Sequence, residues 1–412
     1  MTKDISPSQC LLGLAVALLA AIGVCYIFSA GYVGEDYPVR GNWLRQLFFL
    51  GVGTVAAWGM TRLDNRHRPW RLLVFAGYAA SILLLLAVLL VGRSIGGARR
   101  WIAVGGFLLQ PAEFAKLFTI LAGAVVFSGE LFKNRLKEAL VGTALFAVPV
   151  VLMVAEPSYG NALSLLAPFA VLMGTRLLPG WLWSLALALT LIALGGVFYG
   201  VEHVRSHPEL LAKAEETPDA GSRLLHGYHL RRLHSYLSDT GGWNERQAIM
   251  TIAGGGATGK GYLNGTMNKL GYLPRTVAPT DFIFAVLAEE GGFLFGVLPV
   301  IALYMLIFAL LLHQAAHATT RLDFNLIAAG CALLVLHILV GIGMNLRLLP
   351  IIGLPLPLLS YGGSFTAATI LLLGNMAAAR HQEKGDAQAA AANGGDHILR
   401  LGPLFKLTIH CK

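Results

Sequence analysis

The chain has 412 residues, 56% of them hydrophobic and only 13% charged, with a formal net charge of +9. That balance excludes an ordinary soluble protein, in which about a quarter of the residues are charged. The positive excess fits Lys- and Arg-rich cytoplasmic loops and requires no nucleic acid.

Apolar runs of about 20 residues, enough to cross a bilayer as helices, recur along the chain. In order, spans are expected at 11–30, 44–60, 72–91, 111–127, 139–155, 162–178, 181–199, 293–312, 326–344 and 364–379. The fold class is therefore an all-α polytopic membrane protein of about ten transmembrane helices, with a large extracytoplasmic loop before the eighth span. The run 11–30 lacks a small-residue cleavage site and reads as a first span, not a removed signal. Cys10, Cys25, Cys331 and Cys411 lie at or inside apolar runs or in the tail, so no disulfide framework is expected.

Between spans two and three lies TRLDNRHRPWR, and between spans four and five FKNRLKE. The positive-inside rule makes their side cytoplasmic, together with Arg176, Arg321, Arg380 and both termini. GARRW, with Arg99 and Arg100, falls on the outer side against the rule, which suits anionic head groups or substrate phosphates. Residues 1–380 form one transmembrane domain. The tail 381–412 is rich in Ala, Gly and Gln where it begins and is expected to be disordered.

The outer loop, about 200–280, holds GGGATGKGYLNG at 254–265. Gly254, Gly259 and Lys260 imitate a phosphate-cradling loop, but Gly261 stands where Ser or Thr must hold magnesium. The stretch also faces away from ATP, so no nucleotide is expected. Its backbone N–H groups could still receive a phosphate, or form a plain turn between helices. Residues 281–312 then form one apolar run of 32. Gly291-Gly292 offers a break, with a short helix at 281–290 before the span at 293–312.

Ionisable groups inside membrane segments are costly and are functional candidates. In QPAEFAKL, Pro111 suits a first helical turn, Glu113 suits its dipole, and Lys116 lies three residues on, in reach of Glu113. The pair reads as a cap with an ion pair, or as the charged wall of an outward cavity. In PTDFIFAVLAEE, Asp281 is either a helix cap or a partly desolvated carboxylate suited to general base catalysis. Glu289 and Glu290 point elsewhere round the helix and are expected to make structural pairs. LLPIIGLPLPLLSYGGS, at 348–364, must be an irregular apolar connection, either a groove for a lipid chain or a rigid cap over the bundle.

Together GARRWI, QPAEFAKL, EPSYGNAL, GWNERQAIMTIAGGGATGKGYLNGT, PTDFIFAVLAEEGG and GMNLRLLPIIGLPLPLLSYGGS resemble the SEDS family of bacterial cell-wall polymerases, over about residues 40–380. Gly242, Trp243, Asn244 and Gln247 with GKGYLNGT look like its RodA-type elongation branch. The resemblance implies polymerisation of lipid II, a disaccharide-pentapeptide on undecaprenyl pyrophosphate, at the outer face of the bacterial cytoplasmic (inner) membrane. It implies Asp281 as general base, Glu113 and Lys116 as the family's buried charged pair, and Trp101 as an outer-loop tryptophan tied to activity. Arg99, Arg100 and Lys260 are weaker candidates for pyrophosphate contacts. A divalent metal, Mg2+ or Mn2+, is the cofactor it offers. The partners it implies are a class B penicillin-binding protein and the elongation machinery. Ser158, Asn161, Pro279, Gly341 and Arg347 depart from the family's pattern. Two other classes of function fit the residues less well: a lipid II flippase or transporter, and a non-catalytic activator of a penicillin-binding protein.

Overall fold

The computed structural model describes residues 7–32, 41–63, 65, 68–95, 98–132, 134–177, 242–379, 399–401 and 405–407. The expected span at 181–199, the charged part of the outer loop and most of the tail lie outside these residues. Within the tail, Leu399–Leu401 and Phe405–Leu407 pair as antiparallel strands.

Helices α1 (Pro7–Gly31), α2 (Asn42–Arg62), α3 (Arg68–Val91), α4 (Pro111–Val126) and α5 (Arg135–Ala155) follow the first five expected spans. The sixth span is corrected. It is two helices, α6 (Tyr159–Ser164) and α7 (Leu166–Leu177), interrupted at Leu165. Pro168 has no N–H to donate to the Ser164 carbonyl, so the ladder breaks one turn before it. After the loop come α8 (Trp243–Gly255), α9 (Thr266–Lys269), α10 (Ile283–Gly291), α11 (Leu298–Ala316), α12 (Arg321–Asn345) and α13 (Gly363–Ala378). A π-helical turn, Gly292–Val297, joins α10 to α11, so Ile283–Ala316 is one helical stretch of 34 residues. The expected break falls at Gly292 within this stretch: its φ is +66°, it caps α10, and the Phe293 and Leu294 N–H groups donate to the Gly256 and Ala257 carbonyls instead of to the preceding turn.

Five of these stretches are long and apolar enough to cross a membrane by length and composition: α1, α3, α5, Ile283–Ala316 and α12. Helix α4 is shorter and lies inside the bundle, with every residue except Phe114 and Phe118 buried. A helix surrounded by protein can carry charge where a lipid-facing one cannot. Helices α2 and α13 pack closely through small residues. A Cβ on Gly53 would stand 3.0 Å from the Ala367 Cα, the kind of approach that holds membrane helices together by van der Waals contact.

No strand is expected from the sequence in the loop after α3, yet three form there. These are β1 (Arg93–Ile95), β2 (Ala98–Val104) and β3 (Phe107–Leu109), antiparallel in that order. Gly105 and Gly106, at φ +55° and +83°, make the two-residue turn whose twist suits a hairpin. Phe107 stacks on Phe48 of α2, with ring centroids 5.3 Å apart, and fastens the sheet to the bundle.

The irregular connection 346–362 proves to be a plug. Leu354, Leu356, Leu358 and Leu359 are at most 2% exposed and turned into protein. Gly23 of α1 permits this approach, since a Cβ there would lie 2.2 Å from the Leu358 carbonyl oxygen. The Tyr304 hydroxyl donates to the Pro357 carbonyl at 2.6 Å.

Candidate active site

Asp281 sits at the end of two consecutive turns. Val277 and Ala278 N–H donate to the Pro274 carbonyl, and Asp281 and Phe282 N–H donate to that of Val277. This corrects the expected helix start at Pro279-Thr280-Asp281. Helix α10 begins at Ile283, and its N-cap is Phe282, with no side-chain cap. Because Val277 takes the N–H of both 281 and 282, the chain tightens before the helix opens. Asp281 therefore stands ahead of the cap, half-buried. Two distant segments brace it: Tyr361 N–H donates to the Pro279 carbonyl at 2.8 Å, and Asn345 Nδ2 to the Asp281 carbonyl at 2.8 Å.

Deeper in the bundle, Glu113 and Lys116 form an ion pair at 2.9 Å, both side chains under 5% exposed. Gln110, the N-cap of α4, makes no side-chain cap, and the Glu113 carboxylate is directed to Lys116. Lys116 Nζ also donates to Asn161 Oδ1 at 2.8 Å and lies 3.4 Å from His337 Nε2. His337 Nδ1 lies 3.1 Å from the Pro355 carbonyl. A carbonyl only accepts, so Nδ1 carries the hydrogen and Nε2 offers its lone pair to Lys116. The ammonium's three N–H groups thus face three acceptors, on α4, α6 and α12. Phe365 of α13 closes the assembly, stacked on His337 with centroids 5.1 Å apart and ring-on toward Lys116 at 5.7 Å. His337 thus joins α12 to Lys116, to the Pro355 carbonyl and to Phe365.

The segment Ser360–Thr366 connects this hub to Asp281. Its Tyr361 braces the turn before the aspartate, and its Phe365 covers Lys116. Gln46 of α2 holds it in place, with Nε2 donating to the Ser360 carbonyl and to Thr366 Oγ1 and Oε1 accepting from Gly362 N–H. Gln46 went unnoticed in the sequence because a single amide in an apolar helix has no periodicity to mark it.

Lys260 belongs to a different set. Its Nζ donates to Glu289 at 2.6 Å and to Thr266 Oγ1 at 2.6 Å. The backbone N–H groups of the glycine-rich loop are engaged as well. Thr266 and Met267 N–H donate to the Glu289 carboxylate, and Leu263 and Gly265 N–H to that of Glu290. Lys260 and Gly261 N–H donate to the main-chain carbonyls of Glu289 and Glu290. The loop is an anion-binding concavity, and the anions in it are the protein's own carboxylates. Structural pairing of Glu289 and Glu290 is what sequence reading expects, and here it takes the form of a staple.

Arg99 and Arg100 lie on β2, Arg99 exposed and Arg100 partly buried, with partly buried Trp101 opposite Arg93 in the register. The Arg100 guanidinium donates to the Pro157 carbonyl. Beside it stands a residue that sequence reading passed over, Glu156. It follows the last residue of α5, is 1% exposed, and among the described residues neither of its oxygens meets a hydrogen-bond donor. Burial pushes its carboxyl up to about 8, against the opposing pull of Arg100. The signal was a charged residue closing an apolar span in EPSYGNAL.

A helical bundle with apolar spans and ordered ionisable groups at its core defines a polytopic membrane protein. The chain belongs to the FtsW/RodA/SpoVE family of cell cycle proteins, whose sequence profile matches residues 9–385. Peptidoglycan glycosyltransferase RodA of Treponema pallidum is 31% identical, over 88% of this chain and 95% of that protein. Peptidoglycan glycosyltransferase MrdB of Escherichia coli is 33% identical, over 90% and 91%. Among solved structures, a chain of a peptidoglycan synthase complex that coordinates polymerization and crosslinking aligns with a TM-score of 0.67. It is 30% identical over 89% of this chain and 96% of its own. RodA of Thermus thermophilus aligns with a TM-score of 0.58 at 28% identity, over 89% and 94%.

Proposed function

We propose that this chain, a peptidoglycan glycosyltransferase by family, joins lipid II units at the outer face of the bacterial cytoplasmic membrane, with Asp281 as the general base. The observation that carries the reading is the half-buried Asp281, set ahead of its helix cap on a turn braced by Asn345 and by the Tyr361 segment. An acceptor sugar hydroxyl loses its proton to the Asp281 carboxylate as its oxygen attacks the donor's anomeric carbon, and undecaprenyl pyrophosphate leaves with the electron pair. A positioned base of this kind contributes about 10² to 10⁴-fold to a rate. The activated lipid supplies the driving force, so the reaction needs no nucleotide.

The Lys116 hub serves the site by position. With its three N–H groups facing Glu113, Asn161 and His337, it ties α4, α6 and α12 together beneath Phe365. Lys260 is tied in the same way to Glu289. Arg99, Arg100 and Trp101, on the hairpin, are the side chains we assign to the approaching lipid head group. Among the described residues no three His, Cys, Asp or Glu side chains converge. If a magnesium or manganese ion binds with the substrate, the Asp281 carboxylate is the residue that would hold it, and the ion would supply positive charge to the departing pyrophosphate. Both termini lie in the cytoplasm, and a class B penicillin-binding protein of the elongation machinery receives the strand.

Detergent micelles separate this reading from a flippase, because transport has no meaning without two sides. The purified chain with its penicillin-binding partner should convert labelled lipid II into glycan polymer in micelles. Lipid II movement in vesicles by a chain that makes no polymer in micelles would support the transporter instead.

A further inference from the structure

Asn345, the last residue of α12, is wholly buried. Its Nδ2 donates to the Gly341 carbonyl at 2.7 Å and to the Asp281 carbonyl at 2.8 Å. Both partners only accept, so the orientation of the amide is fixed by its neighbours. The bond to Gly341 reaches one turn back along the same helix. The bond to Asp281 crosses 64 positions of sequence to another segment.

The local backbone shows why Asp281 needs that donor. In a regular helix the Ala285 N–H would reach the Asp281 carbonyl four residues back. Here Ala285 N–H donates to the Phe282 carbonyl at 3.0 Å, three residues back, while Val286 N–H makes the ordinary four-residue bond to Phe282. Asn345 thus supplies the Asp281 carbonyl with a donor from outside α10. Asn345 Oδ1, meanwhile, is buried and meets no donor among the described residues.

We propose that Asn345 is a positioning residue for the transfer reaction, fixing the backbone at Asp281 so that the carboxylate meets the acceptor hydroxyl at a constant angle. The proposal rests on Asp281 acting as the base. Asn345 does not touch substrate. Its effect passes through one carbonyl, and it acts on the geometry of proton transfer rather than on lipid II binding.

The discriminating variant is Asn345→Leu, which keeps the shape of the amide, removes its donors and also removes the unsatisfied oxygen. The full chain with its penicillin-binding partner is assayed for kcat, KM for lipid II and Tm, beside Asp281→Asn. We expect an unchanged Tm, KM within about twofold, and kcat lowered about 10- to 100-fold, the scale on which small misplacements act. If leucine prevents folding, Asn345→Ala, which leaves room for a water to donate instead, should lose less turnover per folded molecule, about 3- to 10-fold, again with KM unchanged. Wild-type kcat in the folded variant beside an inactive Asp281→Asn overturns the positioning role and leaves the base in place. Parallel loss of Tm and kcat overturns it in favour of a helix-end role. Activity in Asp281→Asn itself overturns the base assignment on which the proposal rests.

Discussion

The two ends of α10 are held by different means. At the far end, Glu289 and Glu290 are buried, and backbone N–H groups, a lysine and the Ser29 hydroxyl surround them. At the near end, Asp281 is half-buried and is braced through its carbonyl. At the Glu289 end, Oε1 of Glu289 and both oxygens of Glu290 gather donors that hold the glycine-rich loop. At the Asp281 end the bond from Asn345 goes to the main chain, and under the proposed function it fixes the backbone that carries the base.

Several substitutions would break or sharpen that contrast. Asp281→Asn should leave Tm unchanged and lower the rate of glycan synthesis about 10² to 10⁴-fold, measured on labelled lipid II. Lys116→Met should act the other way round. Removing one partner of a buried pair costs about 3–5 kcal/mol, so the variant should lose folded yield and Tm before any kinetic effect is measured. Glu289→Gln should be milder, because a neutral amide still accepts from Thr266 and Met267. It should lower stability by about 1–3 kcal/mol, and protease cleavage in 254–267 should report loosening of the loop.

The smallest effect concerns Glu156. Its folded-state carboxyl titrates near 8, against 4.5 for the free side chain. Between those values the folded chain holds a proton that the unfolded chain has released. Stability from this group is therefore full below about pH 4.5 and declines as pH rises toward 8. Glu156→Gln removes that titration, so its Tm in detergent should fall less than that of the wild type between pH 5 and 8.5. Parallel Tm curves would contradict the assignment.

Much of this was legible in the sequence, and what was not follows a pattern. Helices α1 to α5 announced themselves because a 20-residue apolar run has one economical structure in a bilayer. The ion pair of Glu113 with Lys116 followed from spacing alone. Helix starts were less legible, since the cap of α10 depends on which carbonyl captures the 281 and 282 N–H groups. The hairpin was hidden because its strands are short and their alternation is brief, although Gly105-Gly106 between Val104 and Phe107 is a turn signal. The partners of Lys116 on α6 and α12, the Gln46 lock and the Asn345 brace were invisible because each joins residues 45 to 320 positions apart. The glycine-rich loop was misleading for the same reason: its N–H groups suited a phosphate until Glu289 and Glu290 came to lie beneath them.

Chemical rescue probes the role of Asp281 most directly. In Asp281→Ala the base is absent, and a small carboxylate such as formate can enter the space left behind. Polymer synthesis from lipid II should be lost in that variant and should return in part, in proportion to added formate. Polymerisation by Asp281→Ala at the wild-type rate with no carboxylate added would contradict the account.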